Sequence, residues 1–212
     1  MKPEQPDYAH ELDARLGGAR HVAGVDEAGR GPLAGPVTAA AVVLDMRRLP
    51  EGLNDSKKLG AGARARLAHA IRDSADYAVA HVWIDEIDRL NILHATHLAM
   101  CRALAGLRRP ADFALIDGNM LPRALPVPGL AVVKGDARVL SIAAASILAK
   151  TERDRIMVDL AQQFPGYGWE KNAGYPTAAH VAALNERGVT PYHRRSFAPV
   201  HNILCKATTT SN

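Results

Sequence analysis

Four acidic residues follow short apolar runs whose length and composition are typical of β-strands. Asp26 and Glu27 follow the first of these runs, Asp117 follows a later one and Asp136 follows a third, with a glycine close to each position. Strand ends at one edge of a sheet are where open α/β folds place their sites. We therefore expect the four carboxylates to meet at one sheet edge.

Carboxylate oxygens suit hard cations such as Mg²⁺ or Mn²⁺, whereas Zn²⁺ favours His and Cys. Two such ions close together can activate a water molecule and stabilise the leaving oxygen of a phosphodiester. Taken singly, Asp117 is also compatible with a turn, and Asp136 with the N-cap of the helix that follows it. None of the nine histidines lies in an H-E-x-x-H motif. The repetition of an acid at three strand ends favours a metal site that can cut a phosphodiester.

Asp26 and Glu27 are neighbours, and neighbouring residues of a strand point to opposite faces. Both side chains can reach one ion only if the strand ends or twists there, which the following Ala28 and Gly29 permit. The sequence therefore predicts that the first strand ends at Asp26.

A glycine-rich segment, Gly29-Arg30-Gly31-Pro32, comes directly after the first two acids. Its spacing is close to that of dinucleotide-binding folds, but Pro32 and Pro36 disfavour the helix that those folds need at this point. Glycines let a sugar or phosphate approach the main chain, and Arg30 adds a positive charge. In isolation the segment favours a plain tight turn over a binding loop. Its position after two acids favours a binding role.

The elements that must position these residues can be predicted from the spacing of apolar residues. Strands are predicted at residues 20–25, 37–44, 77–84, 113–116 and 130–133, and helices at 62–74, 91–107, 138–164 and 177–187. This order predicts an α/β or α+β fold with a mixed sheet. We expect one domain over residues 1–212, with a helical C-terminal lobe from about residue 165.

The composition is that of a soluble globular protein, with 48% hydrophobic and 23% charged residues. A net charge of +4 is compatible with a polyanionic partner but does not require one. Cys101 and Cys205 are too far apart in sequence to form a zinc motif or a disulfide framework, which favours a reducing, cytoplasmic location. We see no secretory signal and no stretch long enough to span a membrane.

The sequence resembles the ribonuclease HII family. The resemblance rests on VDEAGRGPLAGPV, LNDSKKL, LIDGN, KGDARVLSIAAASILAK and HRRSFAPV, which occur in the family's order between about residues 20 and 201. It implies a ribonuclease H-like fold, that is, a mixed β-sheet flanked by helices with a small helical C-terminal extension. It also implies two-metal-ion hydrolysis of the RNA strand of RNA–DNA hybrids, and cutting 5′ of ribonucleotides embedded in duplex DNA. The products would carry a 3′-hydroxyl and a 5′-phosphate.

The resemblance also implies roles for individual residues. Asp26, Glu27, Asp117 and Asp136 match the family's catalytic, metal-binding carboxylates, and Gly29, Arg30 and Gly31 match the loop that senses the ribose 2′-hydroxyl. Tyr175 matches the tyrosine that stacks beside the sugar. The chain has Ala173 where the family commonly has a lysine before the Gly-Tyr pair, which puts a local phosphate contact in doubt.

Further substrate contacts are suggested by the positions of hydroxyl and basic side chains. Ser146 and Lys150 lie four residues apart and would share one helix face. Together with Ser56, Lys57 and Lys58, that face is predicted to grip the substrate backbone, although each lysine is equally compatible with a solvated surface position. Arg194 and Arg195 are expected to contact phosphate, with an internal salt bridge as the alternative.

Two other functions remain open at this point. A two-metal nuclease or strand-transfer enzyme could act on plain DNA, but it would not need a sensor for a 2′-hydroxyl. A non-catalytic duplex-binding module would not keep four acids, because unpaired acids repel phosphate. The expected partners are a nucleic acid and Mg²⁺ or Mn²⁺. No clamp-docking peptide is evident, and a monomer is the default expectation.

Overall fold

The computed structural model describes the backbone of residues 5–209 and the side chains of residues 5–205. The strands are β1 (Val22–Ala28), β2 (Val37–Val43), β3 (Asp76–Val82), β4 (Phe113–Asp117) and β5 (Gly129–Val132). The helices are α1 (Ala9–Leu16), α2 (Ala61–Ser74), α3 (Ile84–Leu90), α4 (Ile92–Ala105), α5 (Leu140–Gln163), α6 (Trp169–Asn172), α7 (Ala178–Arg187) and α8 (Ala198–Thr209). Short 3₁₀ turns lie at Met46–Arg48 and Gly135–Ala137.

The five strands form one mixed sheet in the order β3-β2-β1-β4-β5. β1, β2 and β3 form an antiparallel meander, whereas β4 and β5 run parallel to β1. The predicted mixed sheet flanked by helices is confirmed. Because β1 and β4 are parallel neighbours, with Val25 opposite Ile116, the acids that follow these two residues come to the same edge.

Small side chains on the central strands let one helix pack on each face of the sheet. On one face Ala23, Val25 and Ala39 contact Ala95 and Ala99 of α4. On the other face Ala40 and Val42 contact Ala144, Ile147 and Leu148 of α5. A Cβ on Gly24 would lie 2.2 Å from the Ser141 carbonyl carbon, so the start of α5 presses directly on β1. This close approach brings α5 beside the acids.

The C-terminal helices α6, α7 and α8 form a separate hydrophobic cluster at the far end of α5. Its buried members include Met157 of α5, Trp169, Leu184 and Val200, and Leu33 from the loop between β1 and β2 also joins it. The helical C-terminal extension is confirmed in the described residues. The single-domain assignment and the boundary near residue 165 stay predictions, and residues 1–4 and 210–212 lie outside the described part.

The predicted elements differ from the structure chiefly at their ends. β1 continues three residues past the predicted end, because Ala28 still pairs with Thr38 of β2. The long helix begins at Leu140 rather than residue 138, because a 3₁₀ turn precedes it. Asn91 caps α4 as expected, since its side chain accepts hydrogen bonds from the next turn. The helices α1, α3, α6 and α8 were not predicted. Within residues 5–209 no helix has both the length and the apolar character needed to cross a bilayer.

Candidate active site

Three of the four acids meet at the edge of the sheet where β1 and β4 end. Asp26 lies in β1, Asp117 is the last residue of β4, and Asp136 lies in the 3₁₀ turn before α5. Each offers a carboxylate oxygen, and these oxygens all lie within 4.8 Å of one another. The Gly135 amide donates a 2.7 Å hydrogen bond to Asp117 and thereby ties the 3₁₀ turn to the end of β4. We call these three acids the carboxylate cluster.

The carboxylate cluster carries more negative charge than its surroundings neutralise. Burial raises the pKa of Asp26 well above its usual range, and repulsion from Glu27 and Asp117 adds to this effect. Burial, with repulsion from Asp117 and Asp55, also raises the pKa of Asp136. Crowded carboxylates of this kind are stabilised as anions by a bound cation. The donor set of the cluster therefore fits a hard divalent metal ion.

Glu27 is not brought into the carboxylate cluster. Since β1 continues to Ala28, Asp26 and Glu27 alternate across the strand, with Asp26 toward α5 and Glu27 toward α4. One Oε atom of Glu27 lies 3.4 Å from the Arg30 guanidinium. Burial raises the pKa of Glu27 despite Arg30, and Asp117 is the acid that adds to the rise. The sequence analysis placed the end of β1 at Asp26, which would have let both side chains reach one ion, but the strand ends at Ala28.

A chain of hydroxyl groups supports Asp26 from behind. The Glu27 amide donates a 2.7 Å hydrogen bond to one carboxylate oxygen of Asp26, and the Ser146 side chain is also hydrogen-bonded to this carboxylate. Ser146 in turn lies 2.8 Å from the Ser56 hydroxyl. Both serines are buried, so their hydroxyls are already engaged within the protein. Their geometry orients a carboxylate, a function that the sequence did not indicate for them.

Eight of the residues predicted to bind substrate line one cleft beside the carboxylate cluster, and Lys58, Arg194 and Arg195 do not line it. The eight are Gly29, Arg30, Gly31, Ser56, Lys57, Ser146, Lys150 and Tyr175. Lys57 joins the cleft to the cluster, because its ammonium lies 3.5 Å from Asp136. Burial lowers the pKa of Lys57, but attraction to Asp136, Asp26 and Asp55 outweighs burial and leaves it raised. The Lys150 ammonium lies 2.6 Å from Asp154 one turn along α5.

The loop between β1 and β2, residues 29–36, forms one wall of the cleft, and we call it the glycine loop. Gly29 has φ +93°, and a Cβ there would lie 2.0 Å from the Arg153 side chain, so no other residue fits. A Cβ on Gly31 would lie 3.4 Å from the Tyr175 ring. Tyr175 is 45% exposed and faces the loop across the cleft. The loop and the ring therefore lie close together at this wall of the cleft.

The expectation that Arg194 contacts phosphate is wrong. Arg194 is fully buried, and its guanidinium donates hydrogen bonds to backbone carbonyls of the glycine loop. Arg195 is exposed, and its amide donates to Asp88, so its role stays a prediction. The sequence analysis missed Arg153, which is also buried behind the loop. Its signal was present, because it continues the buried helix face of Ala149 and Met157 at a spacing of four residues.

Comparisons with known proteins identify relatives of this chain. The family model described as Ribonuclease HII matches residues 23–200. A ribonuclease HII from Paracoccus denitrificans (strain Pd 1222) is 70% identical over 204 residues, which span 96% of this chain and 97% of that protein.

Solved structures with the same architecture include relatives at lower identity. The crystal structure of ribonuclease H2 from Pyrococcus horikoshii OT3 superposes with a TM-score of 0.76 at 30% identity, covering 91% of this chain and all of that one. Bst-RNase HIII in complex with Mn²⁺ shares the fold, with a TM-score of 0.73 at 22% identity over 93% of this chain and 73% of that one. With a family model matched across both the carboxylate cluster and the glycine loop, this chain belongs to the ribonuclease HII family of metal-dependent endoribonucleases.

Proposed function

We propose that this enzyme cuts the RNA strand of RNA–DNA hybrids and also cuts 5′ of single ribonucleotides embedded in duplex DNA. The products would carry a 3′-hydroxyl and a 5′-phosphate. The observation that carries the proposal is the juxtaposition of the carboxylate cluster with a cleft that contains both a glycine loop and a tyrosine ring. The cluster suits phosphodiester hydrolysis, and the cleft suits recognition of one sugar.

Asp26, Asp117 and Asp136 would hold Mg²⁺ or Mn²⁺, and we propose Glu27 as the ligand that extends this set toward α4. When bound, two such ions activate a water molecule and stabilise the leaving oxygen of the phosphodiester. The chain's own part is to keep the acids ionised and oriented. Lys57 offsets the charge of Asp136, and the serine pair fixes the carboxylate of Asp26.

Recognition of RNA requires a contact with the 2′-hydroxyl, which is both a donor and an acceptor. The backbone amides at Gly29 and Gly31 can donate to that oxygen or to the adjoining phosphate, and the Tyr175 ring can stack on a sugar. Arg30 and Lys150 supply positive charge for the phosphates on either side. The proposal is therefore that selectivity depends on the cleft and hydrolysis on the carboxylate cluster.

The test uses two duplexes of the same sequence, one with a single ribonucleotide and one entirely of DNA. With Mg²⁺ or Mn²⁺, we expect one cut 5′ of the ribonucleotide and an intact DNA duplex on a denaturing gel. A polymerase should extend the new 3′ end without prior phosphatase treatment, because that end carries a hydroxyl. Equal cutting of both duplexes would instead support a general DNA nuclease, and binding without cutting would support a duplex-binding module.

A substitution links this activity to the site. Asp117→Asn should abolish cleavage of the ribonucleotide-containing duplex, whereas Asp159→Asn should not, because Asp159 lies on the exposed face of α5 and pairs with Arg155. Normal turnover by the Asp117→Asn protein would contradict the role proposed for the carboxylate cluster.

A further inference from the structure

Two arginines that form no ion pair within the described residues lie buried behind the glycine loop. Arg153 of α5 donates hydrogen bonds of 2.9 Å to the carbonyl of Pro36, 3.0 Å to that of Ala34 and 2.9 Å to that of Ala173. The first two acceptors belong to the glycine loop, and the third lies just before the Gly174-Tyr175 segment. One planar guanidinium therefore holds the loop and the tyrosine segment in one arrangement.

Arg194 reaches the same loop from the C-terminal lobe. Its guanidinium donates hydrogen bonds of 3.0 Å to the Gly35 carbonyl, 3.1 Å to that of Arg30 and 2.6 Å to that of Gly29. Its own amide donates to the Leu33 carbonyl at 2.8 Å. Between them, the two arginines engage carbonyls at both ends of the loop.

Burying these two positive charges costs free energy. Arg153 is 1% exposed and Arg194 is 0% exposed, and neither forms an ion pair within the described residues. Burial lowers the pKa of Arg153 to about 10, and burial together with repulsion from Arg153 lowers that of Arg194 to about 9. An apolar side chain of similar size would avoid this desolvation. What it could not do is donate a rigid fork of hydrogen bonds to carbonyls.

The opposite side of the loop has the complementary pattern. Among the residues that the structure describes, the amides of Gly29, Arg30 and Gly31 donate to no acceptor. Arg30 and Gly31 are exposed to the cleft. A peptide group carries its N–H and C=O on opposite sides, so the Gly29 and Arg30 carbonyls, which Arg194 holds inward, place the amides of Arg30 and Gly31 on the outward side. Consecutive free amides of this kind form a site for an anion or an electronegative oxygen.

We propose that Arg153 and Arg194 are positioning residues that set the enzyme's selectivity for ribonucleotides. Arg194 holds the Gly29 and Arg30 carbonyls inward so that the amides of Arg30 and Gly31 face the substrate, and Arg153 fixes the far end of the loop against the segment that carries Tyr175. This inference rests on the proposed function of the loop in sensing the ribose. Arg194 is fully buried, and Arg153 contributes to the cleft lining but is only 1% exposed, so we place neither in direct contact with the substrate. Each acts through the backbone of residues 29–36, and Arg153 also acts through the segment that carries Tyr175.

Lysine variants separate the effect of hydrogen-bond geometry from the effect of positive charge. Lysine keeps a positive charge at either position, but it cannot reproduce the planar fork that engages several carbonyls at once. The loop would then be free to rotate its peptide groups, and contact with the 2′-hydroxyl would weaken first. Contacts with the duplex backbone through Lys57 and Lys150 do not depend on this loop. The preference for a ribonucleotide should therefore fall while general duplex affinity persists.

The experiment measures binding in the Asp117→Asn background, where cleavage is blocked. Fluorescence anisotropy gives Kd for a duplex with one ribonucleotide and for the all-DNA duplex of the same sequence. Arg153→Lys and Arg194→Lys should each lower the preference for the ribonucleotide-containing duplex over the all-DNA duplex by about tenfold. This is the size of effect expected when hydrogen bonds to buried carbonyls are lost. Affinity for the all-DNA duplex should change by less than about threefold, because a loop rearrangement leaves the backbone contacts in place.

Two further variants keep the test decisive. Arg155→Lys is the matched control on α5, since Arg155 is exposed and pairs with Glu152 and Asp159, and it should leave the ratio unchanged. Arg194→Gln keeps N–H donors without burying an ammonium group, so it tests the same geometry if the lysine variant does not fold. Circular dichroism and thermal melting identify the folded variants used for Kd.

The outcomes separate this inference from the function on which it rests. If the Asp117→Asn parent binds both duplexes equally, the loop does not sense the ribose and that part of the proposed function fails. If the parent prefers the ribonucleotide and the folded arginine variants prefer it equally, the positioning role is wrong and the proposed function stands. A parallel loss of affinity for both duplexes would also overturn the inference, because it would mean that the arginines serve general binding.

Discussion

Two regions beside the cleft carry unbalanced charge of opposite sign. On one side the carboxylate cluster brings Asp26, Asp117 and Asp136 together with Lys57 as the nearby cation. On the other side Arg153 and Arg194 are buried without an acid within 4.0 Å in the described residues. The acids need cations from outside the chain to balance their negative charge, whereas the arginines donate their hydrogen bonds to backbone carbonyls within the protein. The acids would therefore act directly at the site of hydrolysis, whereas the arginines would act only through the backbone that they hold.

This difference teaches where substitutions should be tolerated. Removing the charge of one acid in the carboxylate cluster relieves repulsion among the acids and removes the cost of burying that charge. The fold should therefore survive while catalysis is lost. Changing the packing behind the glycine loop removes bonds that hold the fold itself, so stability and selectivity should change together.

The largest effect is expected for Asp26→Asn. Because burial and repulsion already raise the pKa of Asp26, an uncharged isostere should not reduce thermal stability. Cleavage of a ribonucleotide-containing duplex should fall by at least about a thousandfold, because loss of metal binding removes several kcal/mol of transition-state stabilisation. Steady-state kinetics and a melting curve on the same preparation check both halves. A marked fall in Tm would show that the cluster supports the fold rather than only the chemistry.

Gly29→Ala should have the next largest effect. The new Cβ would lie 2.0 Å from Arg153 and 2.8 Å from the Pro36 carbonyl, at a residue with φ +93°. We expect a stability loss of about 1–3 kcal/mol from backbone strain and a further loss from the clash, together with a much reduced preference for the ribonucleotide. Gly52→Ala is the matched control, because Gly52 has φ +85° but nothing within 4 Å of the added carbon. Denaturant unfolding of both variants separates strain from the clash, and equal losses would contradict the packing role of Gly29.

Acid should weaken the side of the cleft that carries Tyr175. The Nε2 atom of His180 accepts a hydrogen bond from Trp169 and lies 3.2 Å from His193, and its Nδ1 atom lies 2.9 Å from the Tyr175 carbonyl. Burial, with repulsion from His180, lowers the pKa of His193 to about 3. Burial also lowers the pKa of His180.

Below about pH 6.5 the unfolded chain takes up protons that the folded chain does not, so the stability that is present above this pH is lost as pH falls toward 3. For His193 alone, the loss between pH 6.5 and 4.5 should be about 2–3 kcal/mol. Denaturant unfolding at the two pH values measures it. His193→Asn should flatten this pH dependence, whereas the exposed control His69→Asn should not. An unchanged slope in the His193→Asn protein would exclude this cause.

The smallest effect is expected for Ser56→Ala. It removes the 2.8 Å hydrogen bond to Ser146 but leaves the bond from Ser146 to Asp26. One neutral hydrogen bond contributes about 1 kcal/mol, so kcat should fall by roughly fivefold with KM nearly unchanged. If KM rises instead, Ser56 contacts the substrate directly, as the sequence analysis first suggested.

Much of the sheet could be predicted because alternation and apolar runs report burial directly. All five strands were recognised, and the acids at Asp117 and Asp136 were expected near strand ends. The ends of β1 and α5 were less predictable, since pairing of Ala28 with Thr38 and the 3₁₀ turn at Gly135–Ala137 depend on distant partners. The short helices α3 and α6 were missed because one or two turns carry little periodic signal.

The sequence alone determined which residue types are available and, through the family resemblance, which of them are expected to act. Acids after apolar runs and glycines after acids are local patterns, and local patterns can be seen along a chain. Only the tertiary structure decided that Glu27 faces away from Asp26, that Ser56 supports Ser146, and that Arg194 lies under the glycine loop. The reason is that strand pairing sets side-chain direction and burial sets the partners of a charge. Both depend on contacts between residues that are far apart in sequence.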